Sequence, residues 1–151
     1  MQHPPGQWSP ELVEVHDALM HIVREIIAGR PASAGLPSFA QQAALSYIDR
    51  NPGCRATEIA EAFGVHRSTV SRQLRAAMDA GWVQAGEGTL HAGYPLTLSG
   101  SGRAALEAAT GQDRARLAER TADWTPRELA DFARALRRFQ HFDPTMGDDH
   151  A

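Results

Sequence analysis

The sequence predicts a mainly α-helical chain that carries one small β-hairpin. Alanine, the residue with the highest helix propensity, occurs 26 times among the 151 residues. Apolar residues recur at spacings of three and four along several segments, as they do on one face of an amphipathic helix. The stretch from Trp82 to Leu98 differs, because its two apolar runs are separated by glycines in the manner of two strands joined by a turn.

Length and composition restrict the class of protein. A chain of 151 residues is long enough for one domain with its own apolar core. The single cysteine, Cys54, excludes an internal disulfide framework and a metal site made of cysteines alone. No run of 18 apolar residues and no secretory signal pattern occurs, so we expect a cytoplasmic protein without a membrane partner.

The overall charge does not indicate a nucleic-acid partner. The chain has 18 acidic residues against 15 basic ones, all of them arginine, and a formal net charge of −3. Domains that bind nucleic acid are usually strongly basic. Any such function would therefore have to depend on a local concentration of arginine.

The N-terminal helix begins at Ser9 as N-cap, with Pro10 at the first helical position. Apolar residues then follow at alternating spacings of four and three, which predicts a helix of about 20 residues with a coiled-coil-like seam. The helix ends near Gly29, and residues 30–37 form a linker rich in Pro, Gly and Ala. The seam contains Trp8, Leu12, Val15, Leu19, Ile22 and Ile26.

The central helices have clear start and stop signals. Ser38 and Gln41 form a capping-box pattern that opens a second helix, and the Asn51-Pro52-Gly53 sequence stops it. Two helical segments follow over residues 57–63 and 67–80, and Gly81 is suited to cap the second of them.

The last third of the chain contains the hairpin and two further helices. The strands are predicted over residues 82–85 and 90–98, with Gly93 and Pro95 disturbing the second. Ser99 caps a helix that runs to about Thr121. Thr125 with Glu128 forms a second capping box, followed by an apolar stripe and, from residue 143, a polar tail. The stripe contains Leu129, Phe132, Leu136 and Phe139.

The segment 57–83, TEIAEAFGVHRSTVSRQLRAAMDAGWV, has the pattern of a helix-turn-helix. Ala60 is small where two helices must cross, and Gly64 permits the short turn between them. The predicted buried side contains Ile59, Ala60, Phe63, Val65, Val70, Leu74, Ala77 and Met78.

The opposite side of the second helix carries the chemistry of a DNA-binding surface. Between Val65 and Ala76 there are three arginines and no acidic residue. Arginine binds phosphate or guanine, glutamine binds adenine, and hydroxyl groups near a helix start reach phosphates. The alternative is the solvated polar face of an ordinary core helix. The candidate DNA-binding residues on this helix are Arg67, Ser68, Thr69, Ser71, Arg72, Gln73 and Arg75.

This segment, followed by a hairpin and the sequence LSGSG at 98–102, resembles the MarR family of winged helix-turn-helix transcription regulators. The resemblance extends over nearly the whole chain. It implies a homodimer that binds a pseudo-palindromic operator, with the seams of residues 8–27 and 129–139 in the dimer interface. It also implies a small aromatic effector, bound between the dimer helices and the DNA-binding lobe, that loosens DNA binding. By resemblance, the pocket residues are Trp8, His16, Met20, Phe39 and Tyr47.

The hairpin, or wing, departs from the family pattern. An Asp-x-Arg pair is usual in the wing, but the corresponding positions here are Leu90 and Ala92. No arginine occurs between Val83 and Gly102, so His91 is the only candidate for a positive DNA contact from the wing. A neutral wing predicts weaker and less salt-dependent binding than in a typical family member.

The remaining candidate residues give weaker indications of redox, metal-binding or catalytic function. Cys54 precedes a helix start, so it could be a reactive thiol or could serve only in packing. Asp17 and His21 are four residues apart and could pair or bind zinc, but no second ligand cluster is evident, and we expect no metal or cofactor. No catalytic constellation is present, so an enzyme is not expected.

The sequence therefore predicts a mainly α-helical winged helix-turn-helix protein with three parts. These are an N-terminal dimerisation helix and linker (1–37), the DNA-binding region (38–98) and the C-terminal dimerisation helices (99–151), all within one MarR-type domain. The predicted function is that of a homodimeric, ligand-responsive repressor of transcription. The alternative is a winged-helix module that binds protein, which the neutral wing and the net acidity favour.

Overall fold

The computed structural model describes residues 8–28, 35–88 and 93–141. The chain divides into two compact units, with the boundary inside a long helix between Thr110 and Gly111. The elements are α1 (Pro10–Ala28), α2 (Phe39–Arg50), α3 (Ala56–Phe63), α4 (Arg67–Asp79), β1 (Val83–Ala85), β2 (Leu96–Leu98), α5 (Gly100–Arg120) and α6 (Pro126–Gln140). This order confirms the predicted fold class.

Both predicted capping boxes are formed. The Ser38 hydroxyl accepts from the amide of Gln41 at 3.3 Å, and the Gln41 side chain accepts from the amide of Ser38 at 2.8 Å. At the start of α6, the Glu128 carboxylate accepts from the amide of Thr125 at 2.7 Å, and the Thr125 hydroxyl accepts from the amide of Glu128 at 3.3 Å. These contacts satisfy amides that would otherwise lack partners in the first turn.

Two glycines in the left-handed region shape the helix-turn-helix. Gly64 ends α3 with φ +62° and Gly81 follows α4 with φ +75°. The amide of Gly81 bonds to the carbonyl of Met78, and the amide of Trp82 bonds to the carbonyl of Ala77. These two bonds form a Schellman motif, which turns the chain from α4 directly into β1.

The core of the first unit lies between α2, α3, α4 and the strands. The strands pair antiparallel, with Val83 opposite Leu98 and Ala85 opposite Leu96. Buried apolar side chains from every one of these elements meet in one cluster, so the winged helix-turn-helix has its own interior. The cluster contains Leu45, Ile48, Cys54, Ile59, Ala60, Val70, Leu74, Ala77, Val83, Leu96 and Leu98.

Three residues predicted for this core are exposed instead: Phe63, Val65 and Met78. Phe63 and Met78 lie near the ends of α3 and α4, and Val65 lies in the turn between the two helices. Phe63 packs edge to face against Tyr47, with ring centroids 5.8 Å apart, and remains 41% exposed.

The second strand is shorter than predicted. Among the described residues it spans Leu96–Leu98, and residues 94 and 95 of the predicted 90–98 strand do not belong to it. Gly93 has φ +75°, and Pro95 has no amide to donate to a neighbouring strand, so regular pairing begins only after them. Residues 89–92 at the wing tip, residues 29–34 of the predicted linker and the predicted tail lie outside the described residues.

The start of α5 is fixed to the end of α4. The Ser99 hydroxyl donates to the carbonyl oxygen of Gly81 at 2.6 Å and accepts from the amide of Gly102 at 3.0 Å. The Ser101 hydroxyl donates to the same Gly81 carbonyl at 2.9 Å. Gly102 is buried against the Trp82 backbone, and a Cβ at this position would collide with the Trp82 carbonyl. The LSGSG sequence is thus explained by a close approach of two backbones.

The flanking helices expose apolar side chains. On α1, every described side chain is exposed except that of Leu19, which is half-buried. On α6, which belongs to the second unit, none is buried, and Phe139 is 65% exposed. No helix in the described ranges is long and apolar enough to cross a membrane.

Candidate nucleic-acid interface

Helix α4 has one side in the core and the other in solvent. Val70, Leu74 and Ala77 are buried. Because successive helical residues are rotated by about 100°, the side opposite these three carries Ser68, Arg72 and Arg75 and, at the last position of the helix, Asp79. All four are exposed.

The remaining predicted residues lie on the two flanks of α4. Arg67 and Ser71 are exposed on one flank. Thr69 and Gln73 lie on the other, where they line an apolar cavity of about 110 Å³ with residues of α2 and α3. The seven predicted side chains therefore do not form one flat face, and Gln73 is half-buried.

The arginines of α4 have no acidic partner in the described part of the chain. No carboxylate there lies within ion-pair distance of Arg67, Arg72 or Arg75, whereas Arg103 pairs with Asp49 at 3.5 Å. Asp79 is the one acidic residue of α4, at its last position. Unpaired guanidinium groups on one helix give a local positive potential that the net charge of −3 conceals.

The start of α4 is suited to an anion. His66 is the N-cap, and its side chain makes no capping hydrogen bond. The first amides of a helix have no partner within the helix and lie at the positive end of its dipole. A phosphate group of DNA can accept from these amides.

A groove of about 380 Å³ runs along the flank of α4 that carries Arg67 and Ser71. Its other wall is formed by the start of α3 and by the segment that leads into β2. The lining residues are Arg55, Ala56, Thr57, Arg67, Ser71, Leu74, Arg75, Met78, Gly93, Tyr94 and Leu96.

Sequence reasoning did not identify Arg55 or Tyr94 as site residues. Arg55 comes directly before α3, and Tyr94 lies 46% exposed just before β2. One sequence feature could have pointed to Arg55, since it is the only basic residue between α2 and the turn of the helix-turn-helix. Its proximity to the wing, however, depends on strand pairing that the sequence pattern does not give.

The described residues of the wing, 83–88 and 93–98, carry no basic side chain. Ala85 and Gly86 are exposed at the end of β1, and Gly86 donates its amide to the carbonyl of Pro95 at 2.8 Å. His91, the predicted positive contact, lies outside the described residues, as do Leu90 and Ala92.

The five predicted effector-pocket residues are placed as follows. Trp8 and His16 line a groove of about 480 Å³ on α1, together with Leu12 and Val13. Tyr47 packs against Phe63 instead. Met20 on α1 and Phe39 at the first position of α2 are exposed.

Cys54 is buried and has an unreactive environment. Burial, and secondarily the charge of Glu58, raises the pKa of its thiol, so the nucleophilic thiolate is disfavoured. On α1, His21 lies 3.6 Å from Glu25 and His16 lies 3.2 Å from Asp17, in place of the predicted Asp17–His21 pair. The described residues contain no group of three or more His, Cys, Asp or Glu that could hold a metal.

Comparison with known proteins bears on the fold of the chain. Residues 37–89 match the sequence model of the MarR family. No curated protein matches the chain by sequence. The crystal structure of a protein named MarR is 22% identical, with a TM-score of 0.70 over 92% of this chain and 93% of that one.

Two further solved structures are similar. A MarR family protein of Bacillus stearothermophilus is 19% identical, with a TM-score of 0.66 over 86% of this chain and 93% of that one. A MarR family protein of Mycobacterium tuberculosis, in complex with salicylic acid, is 24% identical, with a TM-score of 0.62 over 88% and 98%. The resemblance predicted from the sequence is confirmed, and the chain has the fold of MarR family transcriptional regulators.

Proposed function

We propose that this protein is a cytoplasmic, homodimeric repressor of transcription that binds a pseudo-palindromic operator through α4. The observation that carries the proposal is the exposed side of α4. It presents Arg67, Arg72 and Arg75 without acidic partners among the described residues, on a winged helix-turn-helix scaffold. In such scaffolds the second helix of the motif enters the major groove.

Exposed apolar surface supports the homodimer. Contiguous apolar patches on soluble proteins usually mark surfaces that bind another protein. α1 in the first unit and α6 in the second each present such a stripe. A second copy of the chain would cover them and would bring two α4 helices to successive major grooves of one operator, about 34–36 Å apart. The stripes contain Leu12, Val15 and Ile22 on α1 and Leu129, Phe132 and Leu136 on α6.

A small aromatic acid is the proposed effector. The similar protein of Mycobacterium tuberculosis is in complex with salicylic acid. Here the groove lined by Trp8 and His16 offers an aromatic surface and an imidazole that can donate to a carboxylate. We expect salicylate to weaken DNA binding, and a Trp8→Ala variant to respond less.

The experiment that tests DNA binding is a titration of the duplex upstream of the protein's own gene. We expect Arg72→Ala to lose roughly 1–3 kcal/mol of binding free energy, since Arg72 lies at the centre of the outward side of α4. Arg50→Ala is the matched control, because Arg50 bonds to Ser46 on α2 and lies outside the α4 groove. Equal affinities for wild type and Arg72→Ala would contradict the assignment.

The second candidate is a winged-helix module that binds protein. The absence of arginine between Val83 and Gly102 and the net charge of −3 favour it. Titrations at two salt concentrations separate the two functions, because DNA binding through phosphates weakens steeply with salt. Weak binding that does not change with salt would favour the protein-binding module.

A further inference from the structure

The wing lacks arginine, but an arginine from another element lies at its base. Arg55 precedes α3, and its side chain lies beside Gly93, whose position for a Cβ would be 3.5 Å from Arg55 Cδ. Gly93 has φ +75° and no side chain, so the stem of Arg55 can run against the wing backbone. The side-chain stem of Arg55 therefore lies against the base of the wing at Gly93, and the chain carries a positive charge there although the wing itself has no arginine.

Backbone pairing fixes this position. The amide of Leu96 donates to the carbonyl of Cys54 at 2.9 Å, and the amide of Gly53 donates to the carbonyl of Leu96 at 2.8 Å. The next residue, Arg55, donates its amide to the Glu58 carboxylate at 2.7 Å. The backbone of Arg55 is therefore held by both the wing and the first turn of α3, while its side chain stays exposed.

The groove beside Arg55 is strongly basic. Three arginines line it, together with the hydroxyl groups of Thr57, Ser71 and Tyr94, and no carboxylate is among its lining residues. Guanidinium and hydroxyl groups are the donors that proteins use most for DNA phosphates. Arg67 and Arg75 belong to both this groove and α4, so the basic surface continues from the helix to the wing without interruption.

We propose that Arg55 binds the DNA phosphate backbone and that the groove between α3, α4 and residues 93–96 holds the strand flanking the α4 contact. Arg55 supplies the positive charge that the wing lacks. This inference rests on the proposed DNA-binding function and adds a residue and a contact surface to it. Because the contact is to phosphate, it strengthens binding to every sequence equally.

The test uses the full-length protein and two 30-base-pair duplexes, one from the region upstream of its gene and one of unrelated sequence. Three variants are compared with the wild type. Arg55→Gln removes the charge, Arg55→Lys keeps it, and Arg50→Gln removes a charge outside the groove. Thermal unfolding of each variant shows that it is folded, which we expect because both side chains are exposed.

We expect Arg55→Gln to lose about tenfold in affinity at 0.1 M salt, by the same factor on both duplexes. The slope of log affinity against log salt should fall in magnitude by about 0.9 for each bound protomer, or roughly 1.8 for a symmetric dimer. Arg55→Lys should recover most of the slope, and Arg50→Gln should leave it unchanged.

Two results would overturn the proposal in different ways. If the wild type binds DNA and Arg55→Gln has the same affinity and slope, the proposed function survives and the role of Arg55 is wrong. If the wild type binds neither duplex, the proposed function fails and the Arg55 contact fails with it. A loss confined to the upstream duplex would also contradict a phosphate contact, since it would indicate recognition of bases.

Discussion

Helices α4 and α6 are both amphipathic, but among the described residues the apolar side of α4 is buried and that of α6 is exposed. Leu74 on α4 is 4% exposed, and its neighbours Val70 and Ala77 are equally enclosed. On α6, Phe132 is 41% exposed and contacts Trp124 edge to face, with ring centroids 5.3 Å apart. The two helices have the same kind of sequence pattern, but their apolar side chains differ in exposure to solvent.

The difference shows what each helix requires for stability. A helix of 13 or 15 residues gains most of its stability from packing rather than from helix propensity. α4 obtains this packing from α2, α3 and the strands. α6 has a capping box at its start, and its exposed apolar side would be covered by the second copy proposed above. Substitutions on the apolar side of α4 should therefore change the free energy of unfolding, whereas those on α6 should change self-association.

The largest expected effect is on α4. Leu74→Ala removes a buried side chain from the centre of the first unit and should lower the free energy of unfolding by about 2–5 kcal/mol. Chemical denaturation measures this change. Met78→Ala, one turn later and exposed, is the control and should cost less than about 1 kcal/mol. Similar losses for both would show that the last turn of α4 is covered.

The next effect tests α6. Phe132→Ala should weaken self-association by about 2 kcal/mol, or roughly 30-fold, if the exposed ring is an anchor of the dimer. Sedimentation equilibrium measures the association constant. Arg134→Ala on the same helix removes an exposed side chain that pairs with Asp131, and it should have little effect. An unchanged association constant for Phe132→Ala would contradict the proposal that the apolar side of α6 lies in the dimer interface.

The smallest effect concerns the start of α6. Thr125→Ala should cost about 1 kcal/mol, because the amide of Glu128 loses its acceptor. Thr125→Ser should retain most of the stability. Circular dichroism of the thermal transition measures the three proteins. No difference between wild type and Thr125→Ala would show that the capping box contributes nothing.

The same capping box predicts a pH dependence. Hydrogen bonds from the Thr125 side chain and backbone lower the pKa of Glu128 below its ordinary value of 4.5. Because the folded pKa is the lower one, this contribution is complete above pH 4.5 and is lost as the pH falls through the folded value. The stability difference between wild type and Glu128→Gln should therefore shrink on acidification below pH 4.5.

Local features of the fold could be predicted from the sequence. The capping boxes at Ser38 and Thr125 involve residues three positions apart, and the turn at Gly64 needs only one backbone conformation. Such signals are contained in a few consecutive residues. The exposure of Phe63 and Val65 could not be predicted in the same way, because apolar periodicity does not show which side chains near a helix end are covered by other elements.

In the candidate site, too, some residues could be predicted from local sequence and others could not. The arginines of α4 share a single helix, so their common exposure follows from helical spacing. Arg55 enters the site only because Cys54 pairs with Leu96, more than 40 positions later in the chain. Nothing in the spacing of Arg55 indicates a neighbour at Gly93, and the groove between them becomes evident only in three dimensions.

The junction of Ser99, Ser101 and Gly81 has a mechanical consequence. The carbonyl of Gly81, two residues after the end of α4, accepts from the hydroxyls of both Ser99 and Ser101, and Gly102 lies against the Trp82 backbone. The first turns of α5 lie in the same compact unit as α4. A flexible loop would leave the start of α5 free to tilt, whereas these bonds tie it to the residues that directly follow α4. A change at the start of α5 would therefore disturb the C-terminal end of α4 without touching α4 itself.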